Sequence, residues 1–211
     1  MFCAGEGEGD YQGIAMTFLE PVTLKGCHAR LVPLEQSHHD DLVAAARDGE
    51  LWKLWYTSVP SPEGMRAEIE RRLKLQDEGR MQPFTVLNAD RKAVGMTSYM
   101  NVDAPNRRVE IGSTWYAKSA QRTPLNTECK LMLLTHAFET LDCIAVEFRI
   151  HVLNSQSRKA IERLGAKLDG ILRRHMILPG GTIRDTAVYS ITAAEWLMVR
   201  AHLNWQLEKP R

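Results

Sequence analysis

The stretch RVEIGSTWYAKSAQRTPLNTECK, residues 108–130, decides the fold. Its first nine residues, Arg108 to Tyr116, read as a strand in which Glu110 alternates with Val109 and Ile111. That pattern alone places Glu110 on a solvent-facing edge as readily as in a site. Gly112 inside the run signals a bulge or a close backbone approach. Gln121 to Thr127 then joins the strand to a helix. Thr123 suits the N-cap and Pro124 the first helical position, where a missing N–H costs nothing. A helix start presents unpaired N–H groups and the positive end of its dipole, so it suits a phosphate, and Arg122 adds a fixed positive charge. The same residues equally describe a well-capped core helix. From Leu125 the apolar stripe Leu125, Cys129, Met132, Leu133, Ala137 and Leu141 predicts a helix over 125–141.

Outward from this stretch, strands and helices alternate as in an α/β or α+β domain. Upstream, a strand over 22–31 leads to Ser37, a plausible N-cap for a helix to Arg47. The segment 51–56 is aromatic-rich, with Trp52, Trp55 and Tyr56. Ser61-Pro62-Glu63 then opens a helix whose Met65, Ile69 and Leu73 share a face. A hairpin follows, with strands over 83–87 and 93–100. Downstream, residues 144–152 alternate with Val146, Phe148, Ile150 and Val152 on one side. A helix from Ser155 to Leu164 ends at Gly165. A long hairpin over 168–191 turns at Pro179-Gly180-Gly181-Thr182, and a C-terminal helix starts at Ala193. Together these predict an α+β domain with a mixed, largely antiparallel twisted sheet flanked by helices.

The chain of 211 residues suits one domain, expected over 16–211, after an acidic, glycine-rich N-terminal extension over 1–15 expected to be disordered. A size of this order buries a core without disulfides or a structural metal. Lys and Arg total 27 against 26 Asp and Glu, which gives no overall field for nucleic acid or anionic lipid. Cys3, Cys27, Cys129 and Cys143 lie far apart, with no metal-ligand spacing, and read as reduced thiols of a cytoplasmic protein. No apolar run is long enough to span a membrane. His38-His39, His151 and His175 read as structural or solvated residues.

The order of these elements and their motifs resembles the GNAT N-acetyltransferase superfamily, specifically its RimJ/RimL-like branch. The residues that carry the resemblance are Glu110 to Tyr116, Arg122-Thr123 with Asn126-Thr127-Glu128, Asn154 with Ser157, and Glu162 to Ala166. Leu172 to Met176 and Arg184-Asp185 with Val188 to Ser190 add to it. The resemblance implies a sheet whose fourth and fifth strands splay apart. It also implies acetyl-CoA as co-substrate, no metal, an amine acceptor (a protein N-terminus or small amine), and a branch compatible with a homodimer.

The implied catalytic residues are Glu110, as base toward the amine, and Ser157, which meets the departing thiolate. Implied for coenzyme A are Trp115, Tyr116, Gln121, Arg122, Thr123, Leu125, Asn126, Thr127, Asn154 and Ser157. Trp55 and Tyr56 fall near the acceptor. Asn154 or Ser155 fits equally as a cap of the helix that follows. The family's diphosphate loop runs Gln/Arg-x-x-Gly-x-Gly/Ala, whereas Pro124 and Asn126 stand at its two small positions here. The reading is therefore direct transfer of an acetyl group in a ternary complex. A coenzyme A-binding regulatory or catalytically degenerate module is the alternative, and an interaction domain without coenzyme A is a third.

Overall fold

A computed structural model describes residues 18–178 and 180–209; the extension expected over 1–15, residues 16 and 17, and Pro179 of the last hairpin turn lie outside them. The chain forms β1 (Leu24–Lys25), β2 (Ala29–Pro33), α1 (His39–Arg47), α2 (Met65–Asp77), β3 (Met81–Asn88), β4 (Ala93–Asp103) and β5 (Arg108–Tyr116). It continues through α3 (Pro124–Thr135), β6 (Ala145–His151), α4 (Ser155–Glu162), β7 (Lys167–Ile177), β8 (Ile183–Thr192) and α5 (Trp196–Glu208). The strands make one sheet in the order β1-β2-β3-β4-β5-β6-β8-β7. Every neighbouring pair is antiparallel except β5 and β6. This is the mixed, mostly antiparallel architecture the sequence predicts. No helix among the described residues is long and apolar enough to cross a membrane.

Strand alternation divides the core in two. Tyr99, Val109, Ile111 and Tyr116 face Leu125, Cys129 and Leu133 of α3 and Trp196, Val199 and Leu203 of α5. Met96 and Trp115 instead join Leu42, Ala45 and Ala46 of α1 and Met65 and Ile69 of α2. Met65 and Ile69, predicted to share a face, are both fully buried. Each such side chain contributes about 1.5–3 kcal/mol.

Three expectations are corrected. The single strand over 22–31 is two short strands joined by a turn. The buried Glu128 carboxylate causes this by accepting the N–H groups of Cys27, His28 and Ala29 at 2.8, 2.7 and 2.7 Å. Gly26 is required there, since a Cβ would lie 2.4 Å from the Glu128 carboxylate carbon. Ser37 is no N-cap: it lies within a 3-10 turn, Gln36–His38, capped by Glu35, and His38 precedes α1. The helix over 125–141 ends at Thr135 and continues as a π-helical turn, His136–Thr140. The break comes where Tyr99 Oη donates to the Leu133 carbonyl at 2.5 Å, competing for an acceptor of the helix.

Candidate active site

The sheet opens at one place. β5 and β6 pair only through Arg108–Ala145, Val109–Val146 and Glu110–Glu147, and beyond Glu110 the two strands part. These are the strands expected to splay, and they rank fifth and sixth because the first predicted strand is divided. On its other side β5 carries a bulge: Met96 faces Trp115 while Ser98 faces Gly112, so β5 holds one extra residue. Ser113 absorbs the distortion with φ of 49°.

Two buried cations clasp this bulge from opposite faces. Arg72 of α2 is fully buried and donates Nη2 to the Ser113 carbonyl at 3.1 Å and Nη1 to Ser98 Oγ at 3.1 Å. Its Nε donates to Glu68 Oε1 at 2.7 Å. From the α3 side, Lys130 is also buried and donates Nζ to Thr114 Oγ1 at 3.1 Å, while Thr97 Oγ1 lies 2.7 Å from the same hydroxyl. Burial with so little compensation lowers the Lys130 ammonium to about 8.

Glu110 sits in the last register before the gap. It is 5% exposed, which removes the solvent-facing reading. Asn101 Nδ2 donates to its Oε2 at 2.6 Å, and Arg149 Nε lies 3.6 Å from the same oxygen. Gly112 leaves room for it, because a Cβ there would lie 2.7 Å from Glu110 Oε1. Burial raises the Glu110 carboxyl, against the lowering effects of Asn101, Arg149 and Arg184. A carboxylate whose proton affinity is raised this way is a stronger base than an exposed one.

The start of α3 is built as the sequence predicts. Thr123 caps it, accepting from the Leu125 N–H at 3.3 Å and donating to the Ala120 carbonyl at 2.7 Å. Pro124 is the first helical residue, Arg122 is exposed with φ of 60°, and Asn126 is half-buried in the first turn. Gln121 Nε2 closes the preceding loop onto the Tyr116 carbonyl at 3.0 Å. Some residues named for coenzyme A turn inward. Trp115 and Tyr116 bury their side chains in opposite cores, leaving their main chain along the gap. Leu125 is buried, and Thr127 is buried with its hydroxyl 3.4 Å from Arg163 Nη1.

Asn154 caps α4 with Oδ1 accepting from the Ser157 N–H at 3.0 Å, and Ser157 is half-buried on its first turn. A cleft of about 340 Å³ opens beside the start of α3, lined in part by Thr123, Pro124 and Leu125. A second of about 220 Å³ lies along Ser155, Arg158, Lys159 and Glu162. Neither is lined by Glu110.

On the face that carries Glu110, Trp55 and Tyr56 cover His151, with ring centroids 5.3 and 6.4 Å away. His151 Nδ1 accepts from the Leu153 N–H at 3.1 Å, so a proton of the neutral ring is on Nε2. Burial lowers this histidine, and Arg184 adds to the effect. Arg72, Lys130, Asn101 and Arg149 are not legible as site residues in the sequence. Lys130 offered one signal, a charged residue flanked by Cys129 and by the apolar run Leu131 to Leu134 of a core helix.

With this geometry in place, residues 28–167, more than half of the chain, match the family model described as "Acetyltransferase (GNAT) domain". The chain therefore belongs to the GNAT acetyltransferase family, as its motifs imply. The "Putative ribosomal N-acetyltransferase YdaF" of Bacillus subtilis (strain 168) is 35% identical over 107 residues, 51% of this chain and 57% of that protein. The match thus spans little more than half of that relative's length. Among solved structures, a GCN5-related N-acetyltransferase from Brucella melitensis is 31% identical with a TM-score of 0.77, covering 89% of this chain and 86% of its own. Mycobacterium smegmatis RimJ in complex with CoA-disulfide is 20% identical with a TM-score of 0.75, covering 88% and 95%, and shares the fold.

Proposed function

We propose that this domain transfers an acetyl group from acetyl-CoA to the primary amine of a protein N-terminus or small molecule, by direct attack in a ternary complex. The observation that carries this reading is the buried Glu110 carboxylate at the point where β5 and β6 part, beside a main-chain bulge clasped by Arg72 and Lys130. An acceptor amine reaches the enzyme as ammonium and must lose a proton before it attacks a thioester. Glu110 takes that proton directly or through water. The oxyanion that develops at the thioester carbonyl needs a donor fixed in advance, and a main-chain N–H of the Ser113–Tyr116 segment facing the gap supplies it. Fixing the bulge from both faces keeps that donor in place without reorganisation.

The thioester's diphosphate is held by the start of α3, through Arg122, Thr123, Asn126 and the helix dipole. Pro124 removes one donor, and the Leu125 N–H is engaged by Thr123. This mouth therefore relies on side chains more than a glycine-rich loop does. Trp115, Tyr116 and Gln121 contribute through the main chain and loop beside the gap, and Leu125 and Thr127 by seating the helix. Asn154 has its oxygen in the α4 cap, so its amide nitrogen is what it offers to pantetheine. The Ser157 hydroxyl hydrogen-bonds the departing thiolate. Trp55 and Tyr56 wall the acceptor side.

A thiol-release assay with acetyl-CoA against N-terminal peptides and small amines tests the reading. Glu110→Gln is expected to lower kcat about 10²- to 10⁴-fold with acetyl-CoA affinity unchanged. Unaltered turnover would remove Glu110 as base, and coenzyme A binding without transfer to any amine would favour the regulatory or degenerate module.

A further inference from the structure

On the acceptor side of Glu110 one guanidinium is hydrogen-bonded to no carboxylate among the described residues. Arg108 pairs with Glu147, and Arg149 donates Nε and Nη2 to Glu147 Oε2 at 3.2 and 3.1 Å while approaching Glu110. Arg184, on β8, differs from both. It is half-buried, yet among the described residues its hydrogen bonds go to neutral groups: Nε donates to Thr186 Oγ1 at 3.0 Å and Nη2 to the Arg149 carbonyl at 3.4 Å.

Among the described residues, Glu110 is the carboxylate whose charge bears on Arg184, and it is already bonded to Asn101 and paired with Arg149. Asp185, next in sequence, accepts instead from the Arg174 N–H at 2.7 Å. Thr186 is also 3.1 Å from His175 Nδ1, and it pairs across the sheet with His151. Around this spot stand three guanidiniums, those of Arg108, Arg149 and Arg184; Glu147 takes the first two, Glu110 meets Arg149, and Asp185, whose charge reaches His151, bonds main chain rather than Arg184. A partly desolvated guanidinium hydrogen-bonded to no carboxylate is costly, and its planar fork matches one. A lone ammonium approaching Glu110 is repelled by Arg149 and Arg184. A molecule that brings an anionic group together with its amine is not.

We infer, on the basis of the acetyl-transfer reading above, that the acceptor is an amine bearing a nearby carboxylate, and that Arg184 selects it by pairing with that carboxylate. Two sources share this chemistry: an acidic side chain beside a peptide N-terminus, and the α-carboxylate of a free amino acid.

The test compares peptides with Asp or Glu next to the N-terminus against their Asn or Gln counterparts, and free amino acids against their amides. Wild type and Arg184→Gln are assayed, with Arg184→Lys as the conservative variant. Wild type should favour the carboxylate-bearing member of at least one pair by about tenfold or more in kcat/KM. Which pair shows the preference identifies the source. In Arg184→Gln the ratio should fall toward unity, chiefly through KM, and Arg184→Lys should restore part of it. Transfer by wild type without charge preference, or a preference that survives in Arg184→Gln, would overturn the inference and leave the acetyl-transfer reading standing. No transfer to any acceptor would overturn both.

Discussion

The start of α3 and the bulge of β5 both serve the same candidate site, but they are built at opposite ranges. The helix start is local: Thr123 bonds to Ala120 and Leu125, and Gln121 to Tyr116, all within five residues. The bulge is held from afar, by Arg72 at a separation of 41 residues from Ser113 and by Lys130 at 16 from Thr114. A local device loses a modest amount when one member is removed, because water and neighbouring amides replace it. A buried long-range device leaves a charge or a carbonyl with no substitute. The bulge is therefore the costlier region to perturb and the one where stability and catalysis separate.

Removing Arg72 should show the largest effect on folding. Arg72→Met leaves the Ser113 carbonyl and the Ser98 hydroxyl without their donor and Glu68 paired with Arg71 alone, and unfolding should lose about 2–3 kcal/mol. A chemical-denaturation midpoint close to wild type would show that the bulge does not need its clasp.

Lys130→Met should behave differently, since no carboxylate among the described residues pairs with that ammonium. Its charge is a cost to folding. The folded amine holds its proton less tightly than the unfolded one, at about 8 against the usual 10.5. The cost is thus complete below about pH 8 and disappears as pH rises past 10.5, the range over which wild-type stability gains on the variant. At pH 7 the variant should be as stable as wild type or more so by about 1–3 kcal/mol, while kcat falls about tenfold because Thr114 is then held by Thr97 alone. Equal kcat with raised stability would confine Lys130 to packing.

Thr123→Ala should give the smallest change. Loss of the cap costs about 1 kcal/mol and raises KM for acetyl-CoA a few-fold, with kcat little altered. A loss as large as that of Arg72→Met would erase the contrast between the two regions.

The same contrast explains what was legible in the sequence. β5, α3's start, its cap and Pro124 are written in consecutive residues whose propensities agree, and the boundaries of β5 match residue for residue. The hairpin of β3 and β4 and the alternation of β6 were legible for the same reason. The Glu128 carboxylate that folds residues 26–29 into a turn lies about 100 positions away, so residues 22–31 read as a single strand. The π turn after Thr135 depends on Tyr99 of β4 in the same way. Arg71 and Arg72 are adjacent and alike in sequence, and only the packing of α2 on the sheet buries Arg72 and leaves Arg71 exposed. Trp115 and Tyr116 carry family motifs that report main-chain position, which is why their side chains lie in the core.

The most direct test of the central claim, that Glu110 is the base at the parting of β5 and β6, is the pH dependence of kcat/KM for acetyl transfer in wild type and Glu110→Gln. Because burial raises this carboxyl, the wild-type rate should climb with a midpoint above the ordinary carboxylate range and level off once Glu110 is ionised. In Glu110→Gln that limb should vanish, leaving a much lower rate that rises only as the free amine itself becomes unprotonated. An identical acid limb in both proteins would contradict the account.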